Sequence, residues 1–141
     1  MELIKLHPPF THFAVAMPVA LLVVHVYYKL TKRQEDKLHL LFTFLATLSV
    51  LSGTLSGMVA HEPIEDKLHQ ISIFFVHQYL GLFLGAYFVL LFLLRLAFLI
   101  KDGTKKVFTI MLILGILLIF LQGYLGGSIV YDHMIRPWLG G

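Results

Sequence analysis

The sequence predicts an all-α integral membrane protein: an up-and-down four-helix bundle with both termini outside, on the periplasmic side. Hydrophobic residues fill 58% of the 141 positions and charged residues only 13%, against about a quarter charged in soluble domains. The apolar residues lie in four blocks that are each long enough to cross a hydrocarbon core, which takes about 20 residues. We expect one domain over 1–141, with helices near 11–30, 38–60, 71–100 and 107–131.

The four predicted helices follow from the polar segments that separate the apolar blocks. The first block is too long for the apolar core of a signal peptide, so we interpret it as a retained helix. Short connections at 31–37 and 101–106 are typical of antiparallel neighbours in a bundle. The middle connection, 61–70, is longer and more acidic, and its Pro63 predicts that the second helix ends near Ala60.

Basic residues predict the orientation. Seven lie beside the two short connections, at Lys29, Lys32, Arg33, Lys37, Lys101, Lys105 and Lys106, and three lie on the other face, at Lys5, Lys67 and Arg136. The positive-inside rule then places the short connections in the cytoplasm, for a protein of the bacterial inner membrane. Arg95 lies inside the third block, and we expect it to snorkel to the cytoplasmic face, with a buried pairing role as the alternative. The same distribution explains the net charge of +3 without a nucleic-acid partner.

The composition excludes several kinds of chemistry. The chain has no cysteine, which excludes disulfides, thiolate zinc sites, iron–sulfur clusters and c-type haem attachment. It also lacks a phosphate-binding loop, an H-E-x-x-H motif and paired carboxylates within a span. We therefore expect an electron-transfer subunit rather than an enzyme acting alone.

Histidines are the remaining ligand-type side chains. Six of the eight fall at the predicted outer ends of the helices: His7, His12, His61, His69, His77 and His133. A neutral imidazole inside a span needs a partner, because unsatisfied polar groups in lipid are costly. A metal ion or a haem iron would supply that partner, most clearly for His12 and His77.

The other histidines have simpler interpretations. His61 and His69 lie in the polar middle connection, where solvated side chains are expected, so His61 is a ligand candidate of second rank. His39 starts the second helix and is expected at the membrane interface. His25 lies deeper, and the sequence does not decide whether it forms an inner site with His39.

Glycines accompany two of these histidines. His77, Gly81 and Gly85 recur at a spacing of four and share a helix face, which would leave room for a flat macrocycle below the imidazole. Gly126 and His133 are two turns apart on the fourth helix. Close helix packing explains the same glycines without a cofactor, since small residues spaced by four are common where membrane helices meet.

The opening segment 6–13, LHPPFTHF, resembles the H-P-x-x-x-H-F start of a bacterial membrane family known as domain of unknown function 2231. Segments 56–57 (SG), 76–78 (VHQ) and 126–133 (GGSIVYDH) extend the resemblance over nearly the whole chain. It implies a four-helix fold and no activity. The family positions that it implies are His7, His12, His77 and His133. Members usually carry an acidic residue where this chain has His25, and many carry Asp where it reads His61-Glu62.

The leading functional hypothesis is a b-type membrane cytochrome. It would hold one or two haem b groups near the outer face, with His12 and His77 as axial ligands of the iron. His7 and His133 would serve a second haem or orient the first. Bis-histidine ligation leaves no open coordination position, so the expected role is electron transfer. The partners would be the quinone pool and a periplasmic redox protein, within a larger membrane complex.

Two other hypotheses come from different functional classes. The outer histidines, with Glu62, Glu65 and Asp66, would capture a divalent ion in a metal-binding or metal-transport protein, since imidazole suits zinc, copper and nickel. Alternatively, the chain is a cofactor-free assembly subunit whose histidines are hydrogen-bonded at the interface. The small-residue faces are also compatible with a homo-oligomer.

Overall fold

A computed structural model describes residues 3–99 and 103–136 of the chain. Four long helices dominate it: α1 is His7–Leu30, α2 is Lys37–His61, α3 is Ser72–Leu96 and α4 is Thr104–Ser128. Each is long and apolar enough to cross a membrane, and the described residues form no strand. The four-helix membrane bundle is therefore confirmed, whereas its orientation and the identity of the membrane stay predictions.

The helix ends depart from the predicted bounds at identifiable residues. α1 begins four residues early, because Pro8 and Pro9 occupy its first turn, where a missing N–H leaves no intrahelical bond unmade. α2 ends at His61, close to the predicted end, and a 3₁₀ turn containing Pro63 follows. α3 gives way to a 3₁₀ turn, Ala97–Leu99, earlier than predicted. α4 continues beyond its predicted end as a π-helical segment, Ile129–Ile135.

The helices form a closed ring in which α1 packs on α2, α2 on α3, α3 on α4 and α4 on α1. Up-and-down connectivity gives the bundle two different ends. At the terminal end α1 begins, α4 ends, and the connection 62–71 joins α2 to α3. At the short-loop end lie the connections between α1 and α2 and between α3 and α4.

An apolar core fills the middle of the bundle. Its buried members come from all four helices: Leu21, Ala46, Val50, Leu84, Phe88, Leu91, Phe108, Leu112, Ile116 and Ile119. Large apolar side chains such as Phe13, Leu55 and Leu117 also cover the outer surface, as expected where lipid replaces water around a bundle. Histidine side chains form two clusters, one on each side of this core, while the hydroxyls of Thr47 and Ser49 on α2 bond to backbone carbonyls within it.

Candidate metal centre

Three imidazoles converge at the terminal end of the bundle. His7 begins α1, His61 ends α2 and His77 lies in the second turn of α3, and each offers one ring nitrogen within 4.8 Å of the other two. The ring centroid of His61 lies 5.7 Å from that of His7 and 5.8 Å from that of His77. We call these three residues the terminal histidine cluster.

A serine on α2 fixes the orientation of His7. The Ser56 hydroxyl donates to the Gly53 carbonyl at 3.0 Å, so its oxygen is left to accept a hydrogen bond from His7 Nδ1, also at 3.0 Å. His7 is thereby held as the Nδ1–H tautomer, with the lone pair of Nε2 available. Second-sphere bonds of this kind orient metal-binding histidines. Gly57 makes room for the ring, since a Cβ there would lie 3.0 Å from His7 Cε1.

His77 is buried without full hydrogen bonding. Its side chain is 9% exposed, and its Nδ1 has no hydrogen-bond partner among the described residues. The amide nitrogen of Gln122 on α4 donates to the His77 carbonyl at 3.0 Å and lies 3.5 Å from His77 Nε2. The Gln122 oxygen is also buried and unpartnered in the described part of the chain. Such orphaned buried groups are rare in proteins and indicate a missing ligand or water.

The connection 62–71 covers one side of the cluster. His61 packs edge-on against the buried Phe74 ring, 5.1 Å between centroids, and Phe74 itself packs with Leu68 and Ile129. The expectation of a solvated His61 is therefore wrong, because the last turn of α2 points this ring inward beneath the connection.

The acidic residues of this connection lie outside the cluster. Glu62, Glu65 and Asp66 are exposed, and Glu65 pairs with the exposed His69 at 3.3 Å. Their carboxylate oxygens do not belong to the group of ligand atoms that lie close enough together to hold one ion.

The structure separates the four histidines proposed as cofactor ligands. His7 and His77 lie together, and His61 joins them. His12 is exposed and donates from Nδ1 to the Pro8 carbonyl at 2.6 Å, while His133 is exposed on the π-helical segment. Neither belongs to the terminal histidine cluster, so the expected pairing of His12 with His77 is not the arrangement that the fold produces.

The glycine faces are filled by neighbouring side chains. A Cβ at Gly81 would lie 3.0 Å from the Gln122 amide nitrogen, and one at Gly85 would lie 3.3 Å from Thr54 Oγ1. A Cβ at Gly126 would lie 2.9 Å from His77 Cε1. These glycines therefore serve close helix packing, and the free surface expected for a macrocycle below His77 is occupied.

Sequence reasoning missed Ser56 and Gln122 as supporting residues. Gln122 is a polar residue deep in an apolar block, which is by itself a signal of function in a membrane helix. It also lies one turn from Gly126, on the same face. Ser56 belongs to the 56–57 (SG) motif of the resemblance, but its residue type gave no sign of a role beside a histidine, because serine hydroxyls commonly bond to their own helix backbone, as this one does to Gly53.

A second polar cluster lies at the short-loop end. His25 and His39 are 1% and 0% exposed, and their facing nitrogens are 2.9 Å apart. Arg95, 5% exposed, donates to His39 Nδ1 at 2.9 Å and to the Asp36 carbonyl at 2.9 Å. Arg95 is therefore buried and paired, which was the alternative to snorkelling, and His39 is enclosed by protein, because the connection between α1 and α2 folds over both. The position of His39 relative to the membrane interface stays a prediction.

Carboxylates border this second cluster. The hydrogen bond from the Tyr28 hydroxyl, 2.6 Å, is the main reason that the pKa of Asp36 is lowered to about 2. Burial is the largest single influence on Glu35 and opposes its ionisation, but the hydrogen bond from Lys105, 3.0 Å, a backbone hydrogen bond and the nearby positive charge together outweigh burial and lower the pKa of that carboxyl. Both carboxylates are ionised at neutral pH and face the positive charge of Arg95.

The family model described as "Predicted membrane protein (DUF2231)" matches residues 3–137. The chain therefore belongs to this family, as the short motifs at its two ends indicated. No curated protein and no solved structure matches it.

Proposed function

We propose that this member of the family is a membrane-embedded metal-binding protein, which holds one transition-metal ion between His7, His61 and His77. The observation that carries the proposal is the convergence of three imidazole nitrogens within 4.8 Å, one of them from a histidine with an unpartnered, buried Nδ1. An ion would use the lone pairs that the fold leaves without hydrogen bonds.

The ligand set favours certain ions. Neutral imidazole suits zinc, copper and nickel, while calcium and magnesium prefer oxygen. With metal–nitrogen bonds of about 2.0–2.1 Å, tetrahedral ligand atoms lie roughly 3.3 Å apart, so the three rings would close slightly around the ion. Three protein ligands leave the fourth position open to water or to an exchanging partner.

The middle of the bundle favours binding over transport. The buried apolar core, with Leu84, Phe88 and Leu112 among its members, separates the terminal histidine cluster from the polar groups at the short-loop end. A divalent ion crossing this layer would lose its ligands. The proposal is therefore a site that is loaded and emptied from one membrane face.

A haem b group, with electron transfer between quinone and a periplasmic redox partner, is the second candidate. One observation favours it: imidazoles from different helices offer nitrogens within 4.8 Å of one another, so two of them would hold the haem iron, which would supply one-electron chemistry. The filled glycine faces at Gly81 and Gly126 weigh against it, because the macrocycle would have to displace Gln122 and the third imidazole.

The test is metal counting on protein purified in mild detergent and stripped with a chelator. After equilibrium dialysis against Zn²⁺, Cu²⁺ or Ni²⁺, the wild type should bind a single ion per chain. The triple variant H7A/H61A/H77A should bind none at the same free-metal concentration, and the matched control H12A/H133A should bind like the wild type. No metal in the wild type, or equal loss in the control, would overturn the proposal.

A pyridine haemochrome assay on unstripped protein decides the second candidate. A b-type α-band that disappears in H7A/H61A/H77A would replace the metal-ion proposal with the cytochrome. A colourless preparation from cells supplied with haem would exclude it.

A further inference from the structure

Four side chains at the short-loop end form a hydrogen-bond chain that runs in one direction. Arg95 Nε lies 2.9 Å from His39 Nδ1, His39 Nε2 lies 2.9 Å from His25 Nδ1, and His25 Nε2 lies 2.9 Å from Thr109 Oγ1. The Thr109 hydroxyl donates to the Lys105 carbonyl at 2.9 Å. Each of the four helices contributes one member, so this hydrogen-bond chain connects all four helices of the bundle.

The direction of the first hydrogen bond, from Arg95, determines which ring nitrogen carries the proton in each of the two histidines. A guanidinium can only donate, so His39 Nδ1 accepts and His39 carries its proton on Nε2. His25 Nδ1 must then accept, and His25 donates from Nε2 to Thr109. Both imidazoles are consequently neutral Nε2–H tautomers, and each uses both of its nitrogens.

Neither end of this hydrogen-bond chain can take up or release a proton. Arginine stays protonated in proteins, and the Lys105 carbonyl does not titrate. The chain therefore does not conduct protons. A proton added to either acceptor nitrogen places two donors face to face and breaks the bond between Arg95 and His39 or that between His39 and His25.

We propose that this chain, the short-loop latch, is an acid-sensitive lock: it holds α1, α2, α3 and α4 together while His25 and His39 are neutral and opens when they take up protons. The titratable and charged groups that face the pair come from every neighbouring element: Tyr28 and Lys29 of α1, Arg33, Glu35 and Asp36 of the connection, Arg95 of α3 and Lys105 of α4. Acid would also neutralise Glu35 and Asp36, but only well below the pH at which free histidine titrates.

Proton counting gives the direction and size of the effect. The open form binds protons that the closed form excludes, so acid favours opening. Below about pH 6, the open-to-closed ratio should rise up to about tenfold per pH unit for each imidazole that is protonated.

The latch and the terminal histidine cluster are carried by the same helices. α1 carries His7 and His25, α2 carries His61 and His39, and α3 carries His77 and Arg95, with about 27 Å or more between the members of each pair. Opening of the latch would let these helices shift and loosen the three-imidazole site. This consequence, unlike the latch itself, rests on the proposed function.

The test uses the absence of cysteine in the wild-type chain. Spin labels on Q34C and K106C, at exposed positions of the α1–α2 connection and of α4, report the distance across the latch in metal-free protein. Between pH 8 and pH 5 the distance distribution should shift or broaden, with the change developing below about pH 6. The variant H25Q/H39Q retains donors and acceptors but cannot titrate, and it should keep its distance distribution over the whole range.

The control is H12Q/H133Q, which removes two exposed histidines and should respond to pH like the wild type. An acid response that persists in H25Q/H39Q, or no response in the wild type, would overturn the latch. Should H25Q/H39Q misfold, ¹⁵N-imidazole NMR of the wild type at pH 8 tests the proposal instead. An Nδ1–H tautomer at His25 or His39 would contradict the direction of the hydrogen-bond chain and overturn the latch. All of these measurements use metal-free protein, so a failure of metal binding does not alter their outcome.

Discussion

The terminal histidine cluster and the short-loop latch share three helices, α1, α2 and α3, and differ in how their nitrogens are satisfied. In the latch, both imidazoles are almost fully buried and every ring nitrogen has a partner within 2.9 Å. In the terminal cluster, the rings are less buried, and His77 Nδ1 and the Gln122 oxygen have no partner among the described residues.

This difference separates a structural use of histidine from a binding use. In the latch, every imidazole lone pair already accepts a hydrogen bond, so none is available to coordinate a metal ion. The positive charge of Arg95 would also repel a cation. A cluster with spare lone pairs and no positive side chain among its three ligands remains able to bind one. Residue type alone does not distinguish the two clusters, because both are built around imidazoles contributed by different helices.

The largest effect should come from removing the donor of the latch. Arg95→Ala leaves His39 Nδ1 and the Asp36 carbonyl buried without a donor, and breaking a buried charged network costs about 3 kcal/mol of unfolding free energy. Unfolding in mixed micelles measures the loss. Arg33→Ala, which removes an exposed partner of Asp36 at 2.8 Å, should have a much smaller effect, and equal losses would contradict the structural role of the latch.

The opposite behaviour is expected at the terminal end. His77→Ala should lower metal affinity by about 100-fold or more, since loss of even a second-sphere partner costs about 10–100-fold. It should cost the metal-free protein less stability than Arg95→Ala, because the cavity left by the ring is partly offset by removal of an unsatisfied nitrogen. Isothermal titration and unfolding of the same sample measure both. A large loss of metal-free stability with unchanged affinity would place His77 with the structural histidines.

Glycine substitutions sharpen the comparison at closer range. In Gly126→Ala the new methyl group would lie 2.9 Å from His77 Cε1 and push the ring out of place; we expect about a 10-fold loss of metal affinity. Gly127→Ala is the matched control, because a Cβ there meets no atom within 4 Å. If both variants bind metal like the wild type, His77 does not need its present position to act as a ligand.

The smallest effect concerns the carboxylate that borders the latch. The pKa of Asp36 is lowered from 3.8 to about 2, mainly by the Tyr28 hydroxyl. The stabilisation is therefore complete above pH 4 and is lost as the pH falls towards 2. Tyr28→Phe should reduce the loss of stability between pH 4 and pH 2 relative to the wild type. Thermal unfolding at several pH values measures this, and parallel curves for the two proteins would rule out the hydrogen bond as the cause.

Composition and apolar block length were enough to predict four spanning helices, because crossing lipid imposes a minimum length and an apolar surface. The sequence could not choose between His7 and His12 as inward-facing residues. Five positions on a helix turn the side chain by about 140°, so only one of the two can face the bundle axis. The packing of α1 against α2 turns His7 inward, where its ring bonds to Ser56 and fits against Gly57.

Two other failures have local causes. His133 was placed on the Gly126 face by helical periodicity, but the π-helical segment from Ile129 changes the number of residues per turn and with it the face. Arg95 was expected to extend to the interface, and its burial depends on carbonyls of the α1–α2 connection whose position no periodicity predicts.

The most direct test of the contrast between the two clusters is ¹⁵N-imidazole NMR of the protein in nanodiscs at pH 7.5, before and after one equivalent of Zn²⁺. We expect large shifts of the ring nitrogens of His7, His61 and His77, while those of His25 and His39 stay unchanged. Shifts at His12 and His133, or none at the terminal histidine cluster, would contradict it.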